Sequence, residues 1–132
     1  MSSINPYFDE KVRGRVRAEL ILDKDGNPEF LEGNTLNHYK IRLYLQTQNP
    51  DVQRVIYRLD PTYYDPVRDS NDASRKFELS LTTYGDYQIT IDVQVKGEIV
   101  REVFRLSTLL NEIHGQSENN KIQAALEAIE AH

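Results

Sequence analysis

Apolar and polar side chains alternate one by one over most of the first hundred positions, and few folds accept that pattern. Val12, Gly14, Val16, Ala18, Leu20 and Leu22 fall on one face of an extended segment, with Arg13, Arg15, Arg17 and Glu19 on the other. Successive side chains of a strand point to opposite faces, so a period of two marks a strand buried on one side. The pattern returns at Tyr39, Ile41, Leu43 and Leu45; at Val55, Tyr57 and Leu59; at Phe77, Leu79 and Leu81; and at Tyr87, Ile89, Ile91, Val93 and Val95. It breaks at Asp25-Gly26-Asn27-Pro28, Asn49-Pro50-Asp51, Ser70-Asn71-Asp72 and Lys96-Gly97-Glu98, all of them turn-forming sequences. Short half-buried strands separated by such turns predict an antiparallel sandwich.

The period changes at Ser107. This residue is placed to cap a short helix through His114, with Gly115 expected to end it in a left-handed conformation. A polar linker, Gln116 to Asn120, precedes a second helix whose apolar residues Ile122, Leu126 and Ile129 recur at helical spacing. That stripe has two readings, packing against the sandwich or contact with a partner helix or a second copy of the chain. The fold class is therefore all-β: an immunoglobulin-like antiparallel β-sandwich with short C-terminal helices.

At 132 residues the chain is long enough to bury one core without staples. It has no cysteine, which excludes disulfides, zinc–thiolate sites and a thiol nucleophile. A formal net charge of −5 disfavours a general grip on nucleic acid, where affinity comes from Lys and Arg on phosphates. The first residues lack a basic start and an apolar run, and no stretch of eighteen apolar residues occurs, so a cytoplasmic protein without a membrane segment is expected. No cofactor or metal is expected either. Asp23-Lys24-Asp25-Gly26 looks like the start of a calcium loop, but the glycine comes too early and no acid closes the loop. His38, His114 and His132 are scattered, and no nucleophile elbow, zinc-protease motif or phosphate loop is present. The expectation is a protein that is not an enzyme.

Two loop segments carry more specific information. Leu59-Asp60-Pro61-Thr62-Tyr63-Tyr64-Asp65-Pro66 follows one strand, and Thr83-Tyr84-Gly85-Asp86-Tyr87 precedes another. They resemble the ligand-binding loops of the YEATS family, which read approximately L-H-x-S/T-F-x-x-P and G-W/Y-x-x-F. The strand Val52 to Leu59, the long strand Tyr87 to Val95 and the final run Val103 to Leu110 are similar to the corresponding family elements, in the same order. Pro-Thr within the first loop is a feature shared with bacterial members. The resemblance spans roughly residues 12–115 and implies three parts: an N-terminal arm at 1–11, a YEATS-like β-sandwich domain at 12–115, and a linker with C-terminal helix at 116–132.

In that family two aromatic rings sandwich the flat amide of an acylated lysine, and Tyr63 and Tyr84 fall on those positions. The resemblance implies a non-enzymatic recognition module whose partner is a protein or peptide bearing acyl-lysine. A neutral acyl-lysine leaves water only if its amide finds hydrogen-bond partners, an unpaired buried amide costing about 1–3 kcal/mol. Thr62 offers a hydroxyl, and the backbone N–H groups around Tyr84 and Gly85 offer donors, Gly85 allowing close approach. Asp60 stands where many members have His, and Thr83 where many have Gly. The ligand-binding set is thus Asp60, Thr62, Tyr63, Thr83, Tyr84 and Gly85, and the interaction helix carries Ile122, Leu126 and Ile129. Two other uses of the fold stand beside this one. The first is an immunoglobulin-like scaffold that dimerises through that helix. The second is a carbohydrate- or small-molecule-binding sandwich with tyrosines as a platform and Asp60 and Asp86 as acceptors.

A parity argument adds one structural expectation. Two loops lie at the same end of a sandwich only if an even number of strands separates them. The strand at Lys76 to Thr82 alone would put them at opposite ends, so a short extra strand is expected within Pro66 to Asp69.

Overall fold

The computed structural model describes residues 10–132, so the arm assigned to residues 1–11 lies, through residue 9, outside the described residues. Among the described residues the strands form two antiparallel sheets. In the first, β3 (Asn37–Thr47) pairs with β1 (Gly14–Leu20), β2 (Phe30–Glu32) and β6 (Leu79–Thr83). In the second the order is β5 (Val67–Ser70), β4 (Val52–Arg58), β7 (Gln88–Val95) and β8 (Glu98–Arg105). Two helices follow, α1 (Leu106–His114) and α2 (Asn120–Glu130).

The alternating faces meet between the sheets. Val16, Ala18 and Leu20 of β1, Ile41, Leu43 and Leu45 of β3, Val55 and Tyr57 of β4, and Ile89, Ile91 and Val93 of β7 are all buried in one cluster. Tyr57 brings a polar atom into that core, and its hydroxyl donates to the Phe77 carbonyl at 2.6 Å, linking β4 to the chain entering β6. Burial pushes its phenol far above the usual tyrosine range.

The strand that parity demands is present. β5 runs from Val67 to Ser70 and pairs with β4, Tyr57 opposite Arg68. With β5 and β6 between them, the β4–β5 and β6–β7 loops open at the same end. Phe77, expected on the β6 core face, is buried but precedes the strand, and its φ of 55° sets a sharp corner before Leu79. Leu22 falls beyond β1 and is partly exposed, because the alternation there continues into a hairpin rather than a strand. That hairpin is the acidic turn: Asp23 accepts from the Asp25 and Asn27 N–H groups, and Gly26 takes φ 81°.

Both helix-end expectations at α1 are corrected. Ser107 does not cap the helix; Arg105 is the N-cap position, and its side chain makes no capping bond. Asp86, from the β6–β7 loop, instead accepts from the Ser107 N–H at 2.9 Å and hydroxyl at 2.7 Å. A carboxylate from another element therefore satisfies the helix start. Gly115 has φ −58°, so the helix ends in right-handed geometry with the Gly115 N–H on the Asn111 carbonyl.

The stripe of α2 faces inward. Ile122, Leu126 and Ile129 are buried and belong to the same cluster as the sandwich. Asn119 caps this helix by accepting from the Lys121 and Ile122 N–H groups, while its amide donates to the Gly26 carbonyl and to Asn27. On α1, the Nε2 of His114 accepts from the Leu20 N–H at 2.9 Å and fixes the helix to the end of β1. No helix among the described residues is long and apolar enough to cross a membrane.

Candidate functional site

Loop closure at the shared end begins with main-chain bonds. The Leu59 N–H donates to the Pro66 carbonyl at 2.7 Å, which closes the β4–β5 loop, and the Tyr63 N–H donates to the Asp60 carbonyl at 3.1 Å, which makes its tip a turn. The Asp60 carboxylate accepts from the Thr62 N–H at 3.0 Å and from the Thr62 hydroxyl at 2.8 Å. Those bonds, the backbone one first, hold the Asp60 carboxyl below its usual value.

Across from it, the β6–β7 loop folds on Thr83. The buried Thr83 hydroxyl donates to the Gly85 carbonyl at 2.6 Å and accepts from the Gly85 N–H at 3.3 Å. Thr83 is absent from the residues with positive φ, so its β-branched side chain sits without backbone strain. The Gly85 N–H, expected to face a ligand, is engaged inside the loop. Asp86 holds the start of α1 and also accepts from Arg105 at 3.1 Å, so its carboxylate is engaged by the scaffold even though the residue lines the space between the loops.

Asp60, Thr62, Tyr63, Thr83, Tyr84 and Gly85 all line one cleft of about 470 Å³, although some twenty residues separate the two groups in sequence. The aromatic geometry differs from a simple pair. Tyr63 meets Tyr87 edge-on, with ring centroids 5.6 Å apart at 60°, and Tyr84 meets His38 at 5.4 Å and 56°. The Tyr63 hydroxyl donates to the Thr82 carbonyl at 2.6 Å and accepts from the Tyr87 hydroxyl at 3.0 Å. Burial pushes both phenols above their usual range, so both stay neutral. Tyr63 is a fixed wall; Tyr84, 44% exposed, is the more open ring.

Five further lining residues lay outside the expected sets: His38, Tyr64, Thr82, Tyr87 and His132. Two of the histidines read as scattered meet here. Gly33 leaves room for His38, since a Cβ at Gly33 would come within 3.0 Å of that ring. Tyr87 had a usable signal, because it continues the alternation of buried Ile89, Ile91 and Val93 to the residue just before β7 and packs against the core. His132 had none; it reaches the cleft only through the packing of α2. A Cβ on Gly85 would lie 2.8 Å from the His132 carbonyl carbon, so the backbone that approaches Gly85 closely is the chain's own.

The model of the prokaryotic YEATS domain matches residues 39–107, which is 69 of the 132 residues and includes both loops. The chain belongs to the prokaryotic YEATS domain family. No curated protein sequence matches it. Solved structures show the same fold. The yeast AF-9 homolog Yaf9 is 19% identical with a TM-score of 0.50 over 70% of this chain, which spans 66% of that one. A Yaf9 YEATS domain recognising an H3K122suc peptide is 19% identical with a TM-score of 0.52, over 86% of this chain and 88% of that one. This prokaryotic YEATS domain therefore has the immunoglobulin-like sandwich with its two loops at one end.

Proposed function

We propose that this YEATS domain is a non-enzymatic recognition module that takes the acylated lysine of a peptide or protein into the loop cleft. The observation that carries the reading is the convergence of both loop motifs on one cleft. The hydrogen bonding supplies its chemistry. A carboxylate only accepts, so the Thr62 hydroxyl must give its proton to Asp60 and present its lone pairs outward. That polarity suits the N–H of a lysine amide. The Tyr84 amide, beside the engaged Gly85, is the candidate donor for the acyl carbonyl. Tyr63 forms one wall, and Tyr84 with His38 the other, so a flat amide entering between them gains aromatic contact worth about 0.5–1.5 kcal/mol beyond burial. The Yaf9 domain's recognition of an H3K122suc peptide supports a peptide partner.

An NMR titration with acetyl-, crotonyl- and unmodified-lysine peptides tests the proposal. Saturable shifts at Thr62, Tyr63 and Thr83 to Gly85, selective for acylated peptide and lost in folded Tyr63→Ala and Tyr84→Ala variants, are expected. Absence of saturation at millimolar peptide sinks it. One observation favours a second reading: Tyr64 and Tyr84 are exposed while Tyr63 is turned edge-on to Tyr87, an open platform rather than a closed cage. A carbohydrate on that platform would shift Tyr64 and Tyr84 while leaving the Thr62 amide unchanged.

A further inference from the structure

A second open cleft, of about 780 Å³, lies against the first sheet and is lined by Arg13, Arg15, Lys76 and the turn from Gln46 to Pro50. It shares no residue with the loop cleft. His38 and Thr47 sit near opposite ends of β3, so at about 3.3 Å per residue the two clefts are on the order of 30 Å apart. Three cations and no carboxylate line it, in a chain whose formal net charge is −5.

The chain builds this cleft with specific devices. Gly14 lies opposite Thr47 in the β1–β3 register. A Cβ on Gly14 would come within 2.7 Å of both the Gln46 carbonyl oxygen and the Thr47 Cβ, so the missing side chain lets β1 close onto the turn between Arg13 and Arg15. The Thr47 hydroxyl donates to the carbonyls of Val12 at 2.9 Å and Arg13 at 3.1 Å, and accepts from the Asn49 N–H at 3.0 Å. The floor is thereby satisfied internally, and the cations are left at the rim.

Arg13 and Lys76 hold φ of 54° and 57°, the left-handed region that residues with a Cβ rarely occupy. Glycine would relieve both positions, yet each carries a long cationic side chain. Neither forms an ion pair among the described residues. Arg15 has only Glu112 at 3.9 Å, and Lys76 lies over the Tyr44 ring at 5.6 Å.

We propose that this cleft binds a phosphoryl group. Guanidinium groups match the tetrahedral oxygens of phosphate, and a lysine adds a point charge. Three cations whose one ion pair among the described residues is the 3.9 Å contact of Arg15 with Glu112 favour a dianion over a single carboxylate. The site is open to water, so its affinity falls as salt rises.

The test is an NMR titration of the whole chain with inorganic phosphate at pH 7.5, compared with acetate at matched ionic strength. Saturable shifts confined to residues 13–15, 46–49 and 76 are expected, about tenfold tighter for phosphate. Arg15→Gln and Lys76→Asn, the second chosen because asparagine tolerates left-handed backbone, each weaken binding about tenfold with the core spectrum unchanged. An equal response to acetate, or phosphate shifts that survive in both variants, overturns the proposal. A phosphoserine peptide and adenosine monophosphate then separate the sources: tighter binding of one identifies the carrier, and no gain over inorganic phosphate identifies a site for the free ion. Failure here leaves the acyl-lysine reading untouched, because the two clefts have no residue in common.

Discussion

The phenol of Tyr63 donates a 2.6 Å hydrogen bond to the main-chain carbonyl of Thr82, tying the tip of the first loop to the strand that leads into the second. The ring that walls the cleft is thus also a brace. Tyr63→Phe keeps the ring and removes the brace, so it is expected to lower stability by about 1 kcal/mol. It should leave acyl-peptide affinity within about threefold, whereas Tyr63→Ala abolishes binding. Urea denaturation and peptide titration on the same samples separate the two effects.

Asp60 sets a pH dependence. Its carboxyl is held below the usual value, chiefly by the Thr62 N–H and then by the Thr62 hydroxyl. For a depressed carboxylate the benefit is complete above the unfolded value and lost as pH falls through the folded one. The Asp60 contribution to acyl-peptide affinity is expected to be complete at neutral pH and to decline only below the ordinary aspartate range, about 4. Asp60→Ala frees the Thr62 hydroxyl to rotate and should weaken binding about fivefold, in keeping with about 1 kcal/mol for one hydrogen bond.

His114 gives a second pH dependence, in stability rather than binding. Burial holds its imidazole below the usual value, and neutral Nε2 accepts the Leu20 N–H. The unfolded chain takes up the proton first, so stability is full above the unfolded value, about 6.5, and is lost as pH falls through the lower folded value. Urea midpoints from pH 8 to 5 should show this slope. His114→Gln, whose carbonyl can accept the same N–H, should flatten it.

Asp92 is 3% exposed on β7 and accepts from Arg58 Nε at 3.1 Å and from Arg101 Nε and Nη2 at 2.7 and 2.9 Å. Asp92→Asn removes the charge between two cations. The expected loss is about 2 kcal/mol, less than the ~3–5 kcal/mol of a fully buried pair, because both arginines reach water. Equilibrium unfolding measures it directly.

Gly85→Ala places a methyl group where the His132 backbone now lies. His132 is exposed and can swing away, so a stability change below about 1 kcal/mol is expected. The methyl group also narrows the cleft, and acyl-peptide affinity should fall at least about tenfold. An unchanged affinity would place the ligand away from Gly85.

The strands were legible because burial on one face writes itself as a period of two, and even the inconspicuous β5 followed from counting reversals between Tyr63 and Tyr84. β2 left no such trace. Phe30, Leu31 and Glu32 are all exposed, and they form a strand only because β3 supplies partners for them. The cleft was legible as far as the loop residues themselves. The ring partners were not, since whether Tyr63 meets Tyr84 or Tyr87 depends on a hydroxyl reaching Thr82, a contact between distant segments that has no local signature. The Ser107 cap misled for the same reason: a local serine lost to Asp86, which is remote in sequence and adjacent in space.

Ile122, Leu126 and Ile129 complete the same apolar interior that the sheets begin, and Asn119 fastens their helix to the Gly26 hairpin. Chains are made from the N-terminus at about 5–20 residues per second. Both sheets of this domain are therefore synthesised before the residues that seal one wall of their interior. A nascent chain that has reached Gly115 carries an unsealed hydrophobic wall, and the interior closes only once the segment carrying Asn119, Ile122, Leu126 and Ile129 has followed.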